Sequence, residues 1–187
     1  MNIILVLLLF VSTASSAELY ELKYPSDSIF LKNIWVPVLK IDGWHQDKKH
    51  TLMLHSNVHV PDGTNYLNTT SFIHANAINK KQHPELISIS DFINIYYKEF
   101  SSLPPNSVIN EVDRIYTADG MQLLSYTVFP TSAFSVAHAK DGLWQRVTYG
   151  EEGNFYIVFT LVARTEAAYK SALPTYLQSL SKYSEKP

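Results

Sequence analysis

The sequence predicts an α+β fold, an antiparallel β-sheet packed by helices, and three observations carry that prediction. Phe155 to Ala163 is an uncharged run of β-branched, aromatic and leucine residues. Neither face of such a strand suits water, so it belongs mid-sheet, covered on both sides. Thr165 then caps a helix in which Tyr169, Ala172, Leu173, Tyr176, Leu177, Leu180 and Tyr183 form one stripe. A second helix is expected over Ser88 to Leu103, where Phe92, Ile95, Tyr96, Glu99, Phe100 and Leu103 follow helical spacing. A sheet with apolar central strands must be covered, and these two helices are the available covers.

Taken in order, the chain opens on a stretch with the marks of a secretory signal. Ile3 to Val11 is unbroken and apolar, and Ser15-Ser16-Ala17 supplies small residues for cleavage. No Lys or Arg precedes the run. The run is too short to span a bilayer, which takes roughly 20 residues. Residues 18–187 then form a single domain, with residues 18–28 as a polar lead-in. Asn33 to Ile41 reads as a strand, which Pro37 confines to an edge or a bulge because it cannot donate to a ladder. Trp44 to Lys49 reads as a polar connection, Thr51 to Val60 as a loosely alternating strand, and Ser71 to Ile78 as a further strand. Asn79 to Glu85 is a polar loop. Ser88 with Asp91 resembles a capping box at the start of the first helix, and Pro104-Pro105 stops it. Val108 to Tyr116 and Met121 to Phe129 make a hairpin through Thr117-Ala118-Asp119-Gly120. Pro130 to Asp141 is a loop, and the last hairpin breaks at Gly150 to Asn154. Asp-Gly pairs at Gly43, Gly63, Gly120 and Gly142 read as turn chemistry, not as a set of acids. Pro174 is expected to kink or restart the final helix.

Composition narrows the function classes. Net charge is −2 and there is no basic cluster, which leaves nucleic-acid binding without support. No polybasic amphipathic helix argues for a membrane surface, and after signal cleavage no stable membrane insertion is expected. The chain has no cysteine, so disulfides, thiolate metal sites and a Cys nucleophile are excluded. An exported, Cys-free chain fits a periplasm, or otherwise secretion.

Candidate chemistry is sparse. His55 and His59, four apart in a predicted strand, would share a face about 13 Å apart along it, too far for two ligands of one zinc. His74 on a neighbouring strand, with Asp62, keeps a metal site open, but polar-face histidines are the better reading. His45 and His50 flank Lys48-Lys49, which disfavours a cation. Ser132, Ser135, His138 and Asp141 cluster in sequence without a nucleophile-elbow pattern. Glu151-Glu152 are expected to be solvated in a turn, and Asp113-Arg114 point to opposite faces. Among twelve tyrosines, Tyr66, Tyr96 and Tyr97 are candidates for a partly exposed aromatic surface. No catalytic, cofactor-binding or metal residue is therefore assigned, and no cofactor.

The strand meander after Ser88–Leu103, with Trp144-Gln145-Arg146-Val147-Thr148-Tyr149, Phe155-Tyr156-Ile157-Val158-Phe159-Thr160 and Tyr169-Lys170-Ser171-Ala172-Leu173-Pro174, resembles the PsbP/DcrB-like domains. The resemblance covers about residues 30 to 183. It implies an α/β/α sandwich and a non-catalytic accessory or binding role, with another envelope protein or a small ligand as partner. It carries no functional residue across. The alternative is an envelope hydrolase or metal-binding protein that uses His and carboxylate groups.

Overall fold

Ser71–Asn79 and Phe155–Ala163 pair antiparallel along their whole length, from Ser71 opposite Ala163 to Asn79 opposite Phe155. In this computed structural model, which describes residues 19–22, 34–102, 112–129 and 143–183, the described strands assemble around that ladder. The signal-like residues 1–17, the Ser132, Ser135, His138 and Asp141 cluster, Pro104-Pro105, and the side chains of Tyr96, Tyr97, Glu99 and Phe100 lie outside the described residues. In chain order the strands are β1 (Leu19–Glu21), β2 (Trp35–Pro37), β3 (Trp44–Gln46), β4 (Asn57–Pro61), β5 (Ser71–Asn79), β6 (Asp113–Tyr116), β7 (Gln122–Val128), β8 (Trp144–Glu152) and β9 (Phe155–Ala163). The helices are α1 (Lys48–Met53), α2 (Ile89–Ser102) and α3 (Glu166–Ser181), with a short 3₁₀ turn over Lys80–Gln82. The sheet runs β1-β2-β5-β9-β8-β7-β6, and β3 and β4 branch from it through β5. Every strand pair is antiparallel. The α+β expectation holds, as does the four-strand meander β6-β7-β8-β9.

The free edge of β5 is shared. Its first half pairs with β4, and Ala77 pairs with Trp35 of β2. Asn57 closes the fork: its Nδ2 donates to the Pro37 carbonyl at 2.7 Å, and its Oδ1 accepts from Gln46 Nε2 at 3.0 Å. Gln46 Nε2 also reaches Tyr20 Oη at 2.6 Å, which ties β1 to β3. Pro37 therefore does not sit on an edge strand. It ends a three-residue strand between β1 and β5, where a missing N–H costs little.

Residue parity sorts the sheet into two faces. On one face, Ile157, Phe159, Leu161 and Ala163 of β9 pack with Ile73 and Ala75 of β5 against Tyr169, Ala172, Tyr176 and Leu180 of α3. The predicted stripe is the buried one, with Leu173 and Leu177 partly buried at its margin. The phenol of Tyr176 donates to the Phe159 carbonyl at 3.1 Å and lies 2.7 Å from Thr148 Oγ1. The Tyr169 phenol meets Thr127 Oγ1 at 3.0 Å. Thr165 caps α3, its side chain accepting from the Ala168 amide at 3.1 Å. The helix runs unbroken through Pro174, whose lost hydrogen bond is offset by packing on both sides of it.

On the opposite face, Phe92 of α2 stacks on Tyr156 at 5.2 Å and meets Tyr149 edge-on at 5.6 Å. The capping box that starts α2 is real: the Ser88 amide donates to Asp91 Oδ2 at 3.0 Å, and the Asp91 amide donates to Ser88 Oγ at 3.2 Å.

Four expectations are corrected. The lead-in residues 18–28 contain β1, which pairs with β2. Trp44–Gln46 is a strand, not a connection. Thr51 to Val60 is not one strand, because α1 ends at Met53 and β4 starts at Asn57. The last hairpin does not break at Gly150: β8 continues to Glu152, opposite Phe155, and the turn is Gly153-Asn154 alone, with Gly153 at φ +52°.

Gly150 is inside β8 because no side chain fits there. A Cβ would lie 2.6 Å from Leu123 Cδ2 and 2.9 Å from Ile157 Cγ1. Gly150→Ala is expected to destabilise the protein by about 1–3 kcal/mol, read as a lowered midpoint in urea; an unchanged midpoint would show that the two strands yield there.

Candidate functional site

Several of the polar residues on the central strands share one place. His74 and Asn76 on β5, Thr160 on β9 and Gln145 on β8 line the same depression on the face away from α3. His74 and Thr160 are register partners. Around them Phe72, Val147, Val158 and Val162 supply an apolar floor, Phe92 of α2 forms one wall, and Leu54, Ser56 and Tyr66 form the other. The depression is half-open, with a cavity volume of about 400 Å³, within the range typical of small-molecule pockets.

The Tyr66 wall is held by one carboxylate. Asp47 caps α1: its Oδ1 accepts from the His50 amide at 3.1 Å, and its Oδ2 accepts from His50 Nδ1 at 2.8 Å and from the Tyr66 amide at 3.1 Å. Burial pushes the Asp47 carboxyl up, and these hydrogen bonds outweigh it, so its pKa ends below the usual value. The Tyr66 ring then stacks on His50 at 4.6 Å and tilts against Phe72 at 4.8 Å. Arg164 braces the same loop, its Nη2 donating to the Tyr66 carbonyl at 3.3 Å. Tyr66 is thus partly exposed, as its sequence context suggests, and it belongs to the wall of a cavity.

The histidines are distributed, not gathered. His55 lies exposed in the turn between α1 and β4, with φ +52°. His59 lies on β4 opposite Ile73, hence on the α3 side of the sheet. His74 lies in the trough on the other side. The expectation that His55 and His59 share a strand face is corrected, because α1 occupies the first half of that stretch. His45 is on β3 and His50 in α1, not in a loop. Asp62 pairs with His45 at 3.2 Å on the surface. Among the described residues no three His, Asp or Glu side chains are placed to hold a metal.

Glu151 and Glu152 also separate. Glu151 is exposed and pairs with Lys80. Glu152 is half-buried and accepts a hydrogen bond from the Tyr183 phenol at 2.9 Å. Burial raises the Glu152 pKa more than that hydrogen bond lowers it, so the expectation that both are solvated is corrected for Glu152. Asp113 accepts from Arg146 Nη2 at 2.8 Å across the sheet, not from its neighbour Arg114.

Sequence reasoning missed the trough because it is assembled from distant segments. A signal was present: His74 and Asn76 are polar at alternating positions of a strand beside a two-sided apolar neighbour. No family model and no curated protein matches the chain.

Two rings, one buried and one partly buried, make the fold acid-sensitive. His59 is 6% exposed, and neither ring nitrogen has a hydrogen-bond partner among the described residues. Burial, reinforced by His45, lowers its pKa to about 4, and burial alone lowers His74 to about 4. Unfolded, both rings take up a proton near pH 6.5. The stability that comes from keeping them neutral is complete above about pH 6.5 and declines as pH falls toward 4. Urea unfolding at about pH 5 should show a stability about 1–2 kcal/mol lower per ring than at about pH 7.5. His59→Leu should remove one ring's share of that loss. An unaltered pH dependence in the variant would refute the assignment.

Proposed function

We propose that this chain is an exported, non-catalytic accessory protein that binds a small, mainly apolar ligand in the trough between α2 and Tyr66. The observation that carries this reading is the trough itself: about 400 Å³ lined by apolar side chains, with four polar groups on its floor and, among the described residues, no Lys, Arg, Asp or Glu in its lining. Such a site can desolvate an apolar body and orient it with few hydrogen bonds.

The hydrolase and metal-binding alternative finds less support in this arrangement. Among the described residues the Ser–His contact at the trough is Ser56 Oγ to His74 Nδ1, at 3.3 Å. Ser56 is 2% exposed and its hydroxyl donates to the Ala75 carbonyl at 3.2 Å. A nucleophile needs a free path to substrate and a base that a third group orients, and among the described residues no carboxylate lines the trough to orient His74. A helix on each face of an antiparallel sheet supports the PsbP/DcrB-like reading, and with it an accessory role. Export rests on the N-terminal pattern. Cleavage after Ala17 would leave Glu18 as the first residue, directly before β1, and keep the whole described sheet intact.

Two measurements test this. A neutral solvatochromic dye should bind the purified protein, and Val158→Trp, which fills the floor, should weaken it by about tenfold or more. Leu54→Gln, at an exposed wall position, should weaken it less while leaving the circular dichroism unchanged. Equal dye affinity in all three proteins would remove the trough as the site. Mass spectrometry of the protein recovered from a periplasmic fraction should give a chain beginning at Glu18; an intact Met1 or Asn2 terminus in a cytosolic fraction would end the export reading.

A further inference from the structure

The polar floor of the trough presents open acceptors, and these point to the kind of ligand it suits. This step rests on the reading of the trough as a ligand site. The Ser56 hydroxyl has one proton. The Ala75 carbonyl, 3.2 Å away, can only accept, so that proton goes to it. Both contacts are satisfied together when Ser56 Oγ accepts from its other neighbour, His74 Nδ1, at 3.3 Å. A neutral imidazole with its proton on Nδ1 keeps a bare lone pair on Nε2. His74 Nε2 has no hydrogen-bond partner among the described residues. Two positions along the same face of β5, about 7 Å away, Asn76 Oδ1 is buried without a donor. Each polar group that β5 contributes to the floor therefore holds an acceptor with no donor partner among the described residues, and an acceptor left unpaired on desolvation carries a real cost.

We propose that the trough takes an uncharged, mainly apolar molecule whose polar group is a hydrogen-bond donor, an alcohol, phenol or amide, delivered to His74 Nε2. A carboxylate or phosphate fits poorly. It would bring a second acceptor to a bare lone pair, and among the described residues no Lys or Arg lines the trough to neutralise it. Arg164, the cation at the adjoining loop, is turned to the Tyr66 carbonyl. A bare cation fits no better, since no carboxylate among the described residues lines the site. Burial keeps His74 neutral at physiological pH, which preserves its acceptor role.

A matched series separates these cases: 2-naphthol, 2-methoxynaphthalene and 2-naphthoate share one ring system and differ in donor, acceptor only, and anion. Displacement of the neutral dye from the wild-type protein at about pH 7.5 should rank the naphthol first. Its lead over the methyl ether should be about tenfold, the worth of one hydrogen bond. His74→Leu should erase that lead while the ether still binds. Nitrogen-15 spectra of the wild-type protein should show His74 with Nδ1 protonated and Nε2 bare, and Nε2 should move toward a hydrogen-bonded shift with the naphthol alone. An ether as tight as the naphthol, a naphthoate that binds tightest, or an Nε2-protonated His74 would overturn this inference and leave the trough as a site. If none of the three displaces the dye, the trough reading falls, and this inference with it.

Discussion

Everything in this fold depends on the nine-residue ladder between β5 and β9. β9 is apolar on both faces, and a strand of that kind is stable only when both faces are covered and both edges are paired. β8 takes one edge by a two-residue hairpin. β5 must come from far earlier in the chain to take the other. Once it does, its alternate residues are sorted without further choice. Ile73, Ala75 and Ala77 join the α3 side, while Phe72, His74 and Asn76 join the side that α2 covers in part. A slip of one residue would put His74 and Asn76 under α3 and expel Ile73 and Ala75. Register therefore decides where the polar groups end up.

The two faces are finished differently. Under α3 each deep phenol has a partner: Tyr169 with Thr127, Tyr176 with the Phe159 carbonyl and Thr148, Tyr183 with Glu152. Buried hydroxyls that are paired cost little and fix one packing arrangement. On the other face, α2 covers the half of the sheet around Tyr126, Tyr149 and Tyr156. Val58 and Val60 of β4 pack with Phe72, Leu143 and Val162 at the far end. Between these two clusters the floor is left uncovered by either, and that interval is the trough. It arises where two separate covers stop short of each other. Its far wall is positioned by the Asp47 carboxylate, which holds α1 and the Tyr66 loop at once.

The parts legible in the sequence are those set by local chemistry. The two-sided strand β9, the Thr165 cap, the stripe of α3, the Ser88–Asp91 box and the Thr117–Gly120 turn each depend on residues within a few positions of one another. What escaped depends on distant partners. α1 hides inside an alternation that mimics a strand, and its helical start is decided by Asp47, whose carboxylate also needs the Tyr66 amide. β1 is three residues long and exists through pairing with β2. Glu152 looks like a turn residue until Tyr183, on the far side of α3, reaches its carboxylate. The trough draws on β5, β8, β9, α2 and the loops around Leu54 and Tyr66, so no window of sequence contains it.

His74 joins the stability of the sheet to the chemistry of the trough. Its ring must stay neutral for the fold to keep its full stability, and it must stay neutral for Nε2 to accept a hydrogen bond. A molecule that donates to Nε2 occupies the site where the second proton would go, so ligand and proton compete for one lone pair. By linkage, such a ligand would lower the proton affinity of His74 further, and acidification would weaken its binding. His59 has the same depressed basicity but lies on the α3 side and does not line the trough. It contributes acid sensitivity without coupling to a ligand in the trough. Two histidines of similarly lowered pKa on opposite faces of one sheet therefore have different consequences, and the difference comes from which cover lies over each.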